Sequence, residues 1–215
     1  NLGVEGQMLM GAFAAFYLTF LTGSPWLGLV AAIVVGALMG LAMAVVSVTM
    51  KAEQGISGIG FYLFGLGMSE LLFQKLLGTV ETARGFPTLR IPLLEQSGSL
   101  LVRAFDQIFL SHNFLVYAAF ALVPISWFIL NKTTIGLKIR AVGQNPEAAD
   151  TLAVSVEKTR YLTVTFGGIM SALAGASLSI GLLNVFQQGM TAGQGFIAVA
   201  LVYFGAWRHF GVLLG

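Results

Sequence analysis

The sequence predicts an all-α, polytopic membrane protein with about six helical spans, and its composition and its apolar runs lead to this fold class. Of the 215 residues, 57% are hydrophobic and only 9% are charged, whereas a soluble domain carries about 25% charged residues. The apolar residues gather into separate runs of about 20, the length at which a helix crosses the hydrocarbon with its backbone amides paired internally. We expect residues 1–215 to form a single transmembrane domain.

Three apolar runs near the start of the chain predict three spans. The first is expected at about 7–21 and ends at the turn TGSP. The second covers about 26–50, which is long enough to cross with some tilt, and Lys51 and Glu53 follow it. The third, at about 56–77, is rich in glycine, and this is common where membrane helices approach one another closely.

The composition changes between residues 78 and 113, where prolines, charged residues and the run QSGS interrupt any spanning pattern. This range predicts an extracytoplasmic loop. Within it, apolar side chains fall on one helical face and polar ones on the other (Leu101, Phe105, Ile108 and Phe109 against Arg103, Asp106 and Gln107). The pattern favours a helix lying in the membrane interface, and a lid packed on the protein itself is an equally good interpretation.

The second half of the chain predicts two further spans and a truncated one. The fourth span is expected at about 114–130 and the fifth at about 161–186, with a stripe of small residues for close helix packing (Gly167, Ser171, Gly175 and Ser179). The segment NVFQQGMTAGQ is too polar for lipid and precedes the apolar run 195–207. We therefore expect a loop or broken helix at membrane depth that enters a truncated final span. The chain has no initial methionine and stops within an apolar run, so we interpret it as an internal portion of a longer protein, truncated at both ends.

The polar range 131–160, between the fourth and fifth spans, predicts a soluble loop that contacts a partner. Asn145 is a good helix N-cap, and Pro146 is favoured at the first helical position because its missing N–H costs nothing there. Glu147 lies in the first turn, where the free amides favour negative charge. Ala148 and Ala149 give the short helix a small surface that suits docking in a groove.

The basic residues indicate which side of the membrane this loop faces. Five lie in the loop or at its flank (Lys132, Lys138, Arg140, Lys158 and Arg160). Lys51 lies an even number of spans away and therefore shares their side. These six cations outnumber the three arginines of the 78–113 loop, so the positive-inside rule predicts that the loop at 131–160 is cytoplasmic.

Several polar and aromatic residues near predicted spans are candidates for a solute path. Polar side chains at membrane depth are costly unless they are paired or line a wet path, and an uncharged hydroxylated solute suits amides and aromatic rings. The candidates are Glu5, Gln7, Phe61, Tyr62, Asn184, Phe186, Gln187 and Gln188. A structural hydrogen bond is the competing interpretation for each polar member. The only carboxyl groups that an ion-coupled mechanism would use, Glu5 and Glu70, are expected near span ends.

The sequence also argues against several classes of function. It contains no cysteine, and its two histidines are isolated, so we expect no metal site. Gly-rich GISGIG lacks the preceding strand and the Gly-Lys-Ser/Thr of a phosphate loop, so ATP hydrolysis would occur on another chain. The sequence has no cluster of His, Asp or Ser that would suggest catalysis. Its basic residues are spread through loops, so they do not indicate nucleic-acid binding.

The loop resembles the cytoplasmic signature loop of ABC importer permeases of the branched-chain amino acid, simple sugar and nucleoside group. The matching residues are Gly136, Arg140, Ala141, Gly143, Asn145, Ala148 and Ala149. Three stretches resemble the same group: NLGVEGQMLMGA from Asn1, AEQGISGIGFYLFG from Ala52 and GQGFIAVALVYFGAW from Gly193. Together they are most similar to the branch that moves nucleosides or simple sugars.

The resemblance implies an inward-transporting permease subunit of the prokaryotic inner membrane that works by alternating access and has no catalytic residue. Its expected partners are cytoplasmic ABC ATPases carrying ATP–Mg, a second and paralogous permease subunit, and an extracytoplasmic binding protein. In this family the loop is the coupling helix that rests on the ATPase, which gives that role to the matching residues and to Pro146 and Glu147. The alternatives are an ion-driven secondary transporter and a polytopic membrane enzyme.

Overall fold

The computed structural model describes residues 1–78, 82–83, 85–86 and 112–214. Within these ranges it contains α1 (Val4–Thr22), α2 (Pro25–Ala44), α3 (Gln54–Leu76), α4 (Phe114–Lys132), α5 (Thr134–Gln144), α6 (Pro146–Thr151), α7 (Val156–Ala176), α8 (Gln194–Phe204) and α9 (His209–Leu214). α2 and α7 continue as π-helical segments, Val45–Thr49 and Ser177–Leu183. Apart from isolated bridge residues such as Thr82 and Val185, the regular structure of these residues is helical, so the all-α prediction is confirmed.

Five helices in the described part of the chain are long and apolar enough to cross a membrane, namely α1, α2 with its π segment, α3, α4, and α7 with its π segment. The predicted sixth span is the short apolar helix α8. At 1.5 Å per residue its 11 residues reach about 16 Å, roughly half of the hydrocarbon thickness. The expectation of an interfacial helix or lid within 78–113 lies largely outside the described residues.

Some predicted boundaries were wrong. α7 begins at Val156, inside the predicted loop 131–160, because the Ser155 hydroxyl caps it by accepting a hydrogen bond from the Lys158 amide at 3.4 Å. The soluble part of the loop therefore ends at about Ser155. α1 begins at Val4, three residues before the predicted start of the first span.

The core of the bundle forms where α1, α2 and α7 pack together. Phe16 and Phe186 are fully buried there, and Phe186 makes edge or tilted ring contacts with Phe13, Phe16 and Phe73. Phe186 belongs to the non-helical segment between α7 and α8. That segment therefore enters the bundle rather than remaining at its surface.

α2 and α7 approach each other through glycine. A Cβ atom on Gly168 would lie 2.6 Å from the Gly36 carbonyl oxygen and 2.6 Å from Gly40 Cα. The predicted small-residue stripe is partly confirmed, since Ser171, Gly175 and Ser179 are buried. The glycine in contact with α2 is Gly168 rather than Gly167, and a Cβ atom on Gly167 would meet only the Asn1 side chain, at 3.7 Å.

α4 lies at the edge of the bundle, and its described residues are all at least partly exposed. It packs mainly against α5 and α9, and its first turn reaches the core, where the Phe114 ring contacts Trp26 of α2 with 5.5 Å between centroids. This arrangement leaves an apolar spanning helix facing lipid or another protein, and it places the start of the soluble loop beside the end of α4.

Candidate functional site

The soluble loop contains two short capped helices. The Thr133 hydroxyl accepts a hydrogen bond from the Gly136 amide at 3.2 Å and so caps α5. The Asn145 side chain accepts from the Ala148 amide at 3.1 Å and caps α6, and Pro146 occupies the first position of α6. The predicted cap and first turn are confirmed.

The nine residues expected to take part in coupling divide into an outward and an inward group. Arg140, Gly143, Asn145, Glu147 and Ala148 are exposed, and Ala141 and Pro146 are half-buried. Gly136 is buried, and Ala149 is only 2% exposed. The structure therefore does not place Ala149 on the outward surface of α6, because that helix rests on the rest of the chain through this side.

Gly136 and Gly143 have different roles in the geometry of α5. A Cβ atom on Gly136 would lie 2.3 Å from the Ile129 carbonyl oxygen, so this glycine permits α5 to fold back against the end of α4. A Cβ atom on Gly143 would meet nothing within 4 Å. Gly143 thus leaves open space on the outward surface, next to the exposed Arg140.

The loop is connected to the membrane helices at the start of α7. The hydroxyl groups of Tyr161 and Thr49 share a hydrogen bond, which joins the start of α7 to the π-helical end of α2. A cleft of about 530 Å³ lies between these elements and α6, and it is lined by Thr49, Lys51, Glu147 and Arg160 among others. Lys51 and the loop thus lie at the same end of the bundle, as the span count predicts.

Glu5 has the most constrained polar side chain of the candidate solute path. It is 1% exposed, and its carboxyl oxygens accept three hydrogen bonds from the segment that begins α8. One donor is the Thr191 hydroxyl, and the others are the Gly193 amide at 2.8 Å and the Gly195 amide at 2.6 Å. The amides belong to the first turn of α8, so Glu5 of α1 caps a different helix.

Glu5 is the second residue of α1, so it lies near the start of the first span as expected, yet it is buried against neighbouring helices. Gly65, midway along α3, packs so closely on α1 that a Cβ atom there would lie 2.5 Å from Gly6 Cα. Since α3 is about 34 Å long at 1.5 Å per residue, the neighbour of Gly6 lies near the middle of a spanning helix. The start of α1 therefore lies beside the middle of α3 rather than beside its end.

The other inner candidates surround the start of α1. Gln7 is fully buried; its side-chain oxygen accepts from Asn1 Nδ2 at 2.8 Å, while its Nε2 has no partner among the residues that the structure describes. Phe61 and Tyr62 are half-buried on α3, and the Tyr62 ring contacts Phe196 of α8 edge-on with 5.4 Å between centroids. The structure thus brings Glu5, Gln7, Phe61 and Tyr62 into one region.

The remaining candidates lie apart from this region. Asn184, Gln187 and Gln188 are exposed beyond the π-helical end of α7, and the Asn184 carbonyl accepts from the Ala83 amide. Phe186 lies in the aromatic core with no exposed surface, so its side chain packs the interior in this conformation.

Two further features bear on what the bundle can hold. An apolar cleft of about 690 Å³ between α1, α2 and α3 is lined by Met10, Met39, Phe61 and Phe64 among others, and such a lining suits lipid or helix packing better than a hydroxylated solute. No group of His, Asp and Glu in the part of the chain that the structure describes is arranged to hold a metal ion.

Sequence reasoning missed the donors to Glu5 and the hydrogen bond between Thr49 and Tyr161. The pattern Thr191-x-Gly193-x-Gly195, directly before an apolar run, was a usable signal. α8 has a glycine N-cap with no side chain to satisfy the first amides, so these amides are open to an acceptor from elsewhere, such as a carboxyl group.

Comparisons with known proteins agree with this arrangement. All residues 1–215 match the family described as branched-chain amino acid transport system / permease component. The chain is 39% identical over its whole length to a putative glucose ABC transporter permease protein, TsgC13, of Haloferax volcanii, covering 64% of that protein.

Two guanosine ABC transporter permease proteins of Bacillus subtilis are also similar. NupQ is 35% identical over 99% of this chain, and NupP is 30% identical over 100% of it. The chain spans 68% and 62% of their respective lengths. No solved structure gives a significant match. On the match over its full length and these identities, the chain belongs to the family of branched-chain amino acid transport system permease components.

Proposed function

We propose that this chain forms the membrane-spanning part of a permease subunit of an ATP-driven importer, which moves a nucleoside or simple sugar inward by alternating access. The observation that carries the proposal is the outward surface formed by α6 and by the second half of α5, around Arg140 and Gly143. It is held on capped helices at one end of the bundle and is joined to two spanning helices, α2 and α7.

The geometry supports transmission of force from this surface into the membrane. Only four residues, 152–155, separate the end of α6 from the start of α7, and the Thr49–Tyr161 hydrogen bond joins the start of α7 to α2. Farther along, the close contacts of Gly168 with Gly36 and Gly40 keep α2 and α7 together. Closely packed helices move together as rigid bodies. Displacement of α6 would therefore tilt α2 and α7 and change access to the interior of the bundle.

The substrate class rests on the names of the relatives and on the inner polar region. The relatives are named for glucose and guanosine, both uncharged and rich in hydroxyl groups. Gln7, with its unpartnered amide nitrogen, and the half-buried Tyr62 offer hydrogen-bonding and stacking groups of the kind that such solutes use. These two residues are our candidates for solute contact.

The partners follow from the same proposal. ATP–Mg would bind to a separate cytoplasmic ATPase, whose groove would receive the exposed residues Asn145, Glu147 and Ala148. Bacillus subtilis has two permease proteins named for guanosine, and both are similar to this chain. That pairing supports a paralogous second permease subunit, with an extracytoplasmic binding protein to deliver the solute.

The uptake assay of the complete system tests this function. The full complex would be purified to identify the proteins that accompany the chain, and then reconstituted in liposomes with labelled guanosine, ribose and leucine. We expect ATP-dependent accumulation of guanosine or ribose but not of leucine. Accumulation that continues without the ATPase and collapses with an ionophore would contradict the proposal in favour of a secondary transporter.

The alternatives receive less support from the structure. An ion-driven transporter needs a carboxyl group free to bind the ion, and the buried carboxyl of Glu5 is already engaged by three donors of its own chain. Glu70 accepts a bond from Gln74 at 3.4 Å within α3, which supports a structural pair. Among the residues that the structure describes, no cluster of catalytic side chains supports a membrane enzyme.

A further inference from the structure

α8 is attached to the bundle mainly through its first turn. Gly195 is its one buried residue, and the exposed positions of α8 follow it along the helix. The ring contact between Tyr62 and Phe196 lies in the same turn. Glu5 therefore bonds α8 at the place where this helix meets α1 and α3.

α8 and α1 approach so closely at Gly195 that no side chain fits at this position. A Cβ atom on Gly195 would lie 2.7 Å from Glu5 Cα and 2.7 Å from Glu5 Oε2. The backbone of α8 thus lies directly on the carboxyl group and on the backbone that carries it. The two helices meet as a unit in which the carboxyl group is enclosed.

The chain that leads into α8 is strained, and the bonds to Glu5 hold it. Ala192 has a φ of +44°, a left-handed conformation that costs an alanine about 1 kcal/mol. It lies between Thr191 and Gly193, both of which donate to Glu5 Oε1. The hydrogen bonds from the Thr191 hydroxyl and the Gly193 amide to Glu5 therefore offset the strain at Ala192.

Burying a carboxyl group inside a bundle of membrane helices is itself costly unless its oxygens are satisfied. Here the first amides of α8 satisfy it, and it satisfies amides that the glycine N-cap leaves without a side-chain acceptor. Each partner removes a cost that the other would carry alone. The interaction is therefore specific to the docked position of α8.

We propose that Glu5 is a positioning residue that keeps the short helix α8 docked on the start of α1, rather than a group that contacts the solute. α8 and the segment 184–193 then form a re-entrant element, and its docked position depends on the Glu5 side chain. The transport consequence rests on the function proposed above, whereas the docking of α8 does not.

The test replaces Glu5 by Gln in the complete complex, in lipid nanodiscs. The amide of E5Q keeps one acceptor oxygen but turns an NH₂ group toward a backbone N–H. Because a buried unsatisfied donor costs enough to change an equilibrium by about tenfold, hydrogen exchange of residues 193–197 should accelerate by about tenfold. Exchange in α3 and α7 should stay unchanged, and uptake should fall equally for guanosine and ribose while ATPase binding is retained.

Two further variants keep the test decisive. Thr191→Val removes one donor without altering the carboxyl group and should give a smaller, equally local acceleration, even if E5Q does not fold. Glu70→Gln is the matched control, since the hydrogen bond described for Glu70 lies within α3, and it should leave exchange at 193–197 unchanged.

Three results would overturn the proposal. The first is unchanged exchange at 193–197 with an altered ratio of guanosine to ribose uptake, which would make Glu5 a solute contact. The second is acceleration spread over α3 and α7, which would mean general destabilisation. The third is no effect of either Glu5→Gln or Thr191→Val on exchange. The hydrogen-exchange measurement does not depend on transport, so it tests the docking of α8 whether or not uptake is observed.

Discussion

Single residues define the helix ends of this protein, and Glu53 is a clear case. Its side chain accepts from the Gly55 and Ile56 amides at 3.0 and 2.7 Å and so caps α3 at the end of the bundle that also holds Lys51. These two hydrogen bonds, from Ile56 first and then Gly55, lower the pKa of the Glu53 carboxyl. The ionised side chain is therefore the form that caps the helix.

This cap predicts a pH dependence of fixed sign. Because the pKa of Glu53 is lower in the folded protein, its contribution to stability is present above the ordinary glutamate pKa and is lost as the pH falls through the lowered value. We expect exchange at residues 55–57 to accelerate as the pH falls through that window, after correction for intrinsic rates, and Glu53→Gln to remove this response. An identical pH response in Glu53→Gln would contradict the assignment.

Local patterns account for the residues that sequence reasoning placed correctly. Asn145 and Pro146 act on amides within the same turn, so their order in the chain is sufficient to predict the cap. The inward position of Ala149 and the burial of Glu5 depend on contacts with distant elements. They were therefore not readable from the neighbouring residues, and Ala149 was expected on the wrong surface.

At the scale of the helices, the α2–α7 contact depends on which glycine faces the partner. Gly168→Ala places a methyl group 2.6 Å from backbone atoms of Gly36 and Gly40, where no flexible side chain can give way. Overpacking of this kind costs about 1–3 kcal/mol, so we expect a lower midpoint of thermal unfolding in detergent and reduced uptake.

The neighbouring position supplies the control for that substitution. Gly167→Ala adds the same methyl group where the nearest atom is Asn1 Nδ2 at 3.7 Å. It should be neutral or stabilise α7 by up to about 1 kcal/mol through helix propensity. Equal effects of the two substitutions would show that α2 and α7 are not packed through Gly168.

The spans were predictable because hydrophobic length is imposed by the bilayer and needs no tertiary knowledge. All five long helices match predicted runs within a few residues at most ends. The start of α7 was misplaced because Lys158 and Arg160 resemble loop residues, although they occupy its first exposed turns. The re-entry before α8 was indicated by its polarity, whereas its acceptor, Glu5, lies 186 residues away from Thr191.

At the scale of the whole molecule, the arrangement joins a soluble surface to the interior of the bundle through a short series of contacts. α6 leads into α7, α7 packs on α2, and both contact α1, whose first residues form the inner polar region. Movement of α6 can therefore reach Glu5, Gln7 and α8 without crossing a loosely packed element. This connection is what the proposed function requires of the fold.

The most direct measurement of this account is the number of solute molecules moved per ATP hydrolysed in liposomes, compared between Ala148→Arg and Thr134→Arg. Both positions are exposed and lie in the first turn of a short helix of the same loop, so the added charge affects helix stability similarly. Only Ala148 lies on the surface of α6 that we expect to dock.

A buried unpaired charge costs several kcal/mol at an interface. If α6 docks on the ATPase, Ala148→Arg should lower the number of solute molecules moved per ATP by about tenfold or more, with normal amounts of protein in the membrane. Thr134→Arg should leave that number near the value of the unsubstituted protein. A ratio unchanged by Ala148→Arg, or lowered equally by both substitutions, would contradict the claim that α6 receives the force of ATP hydrolysis.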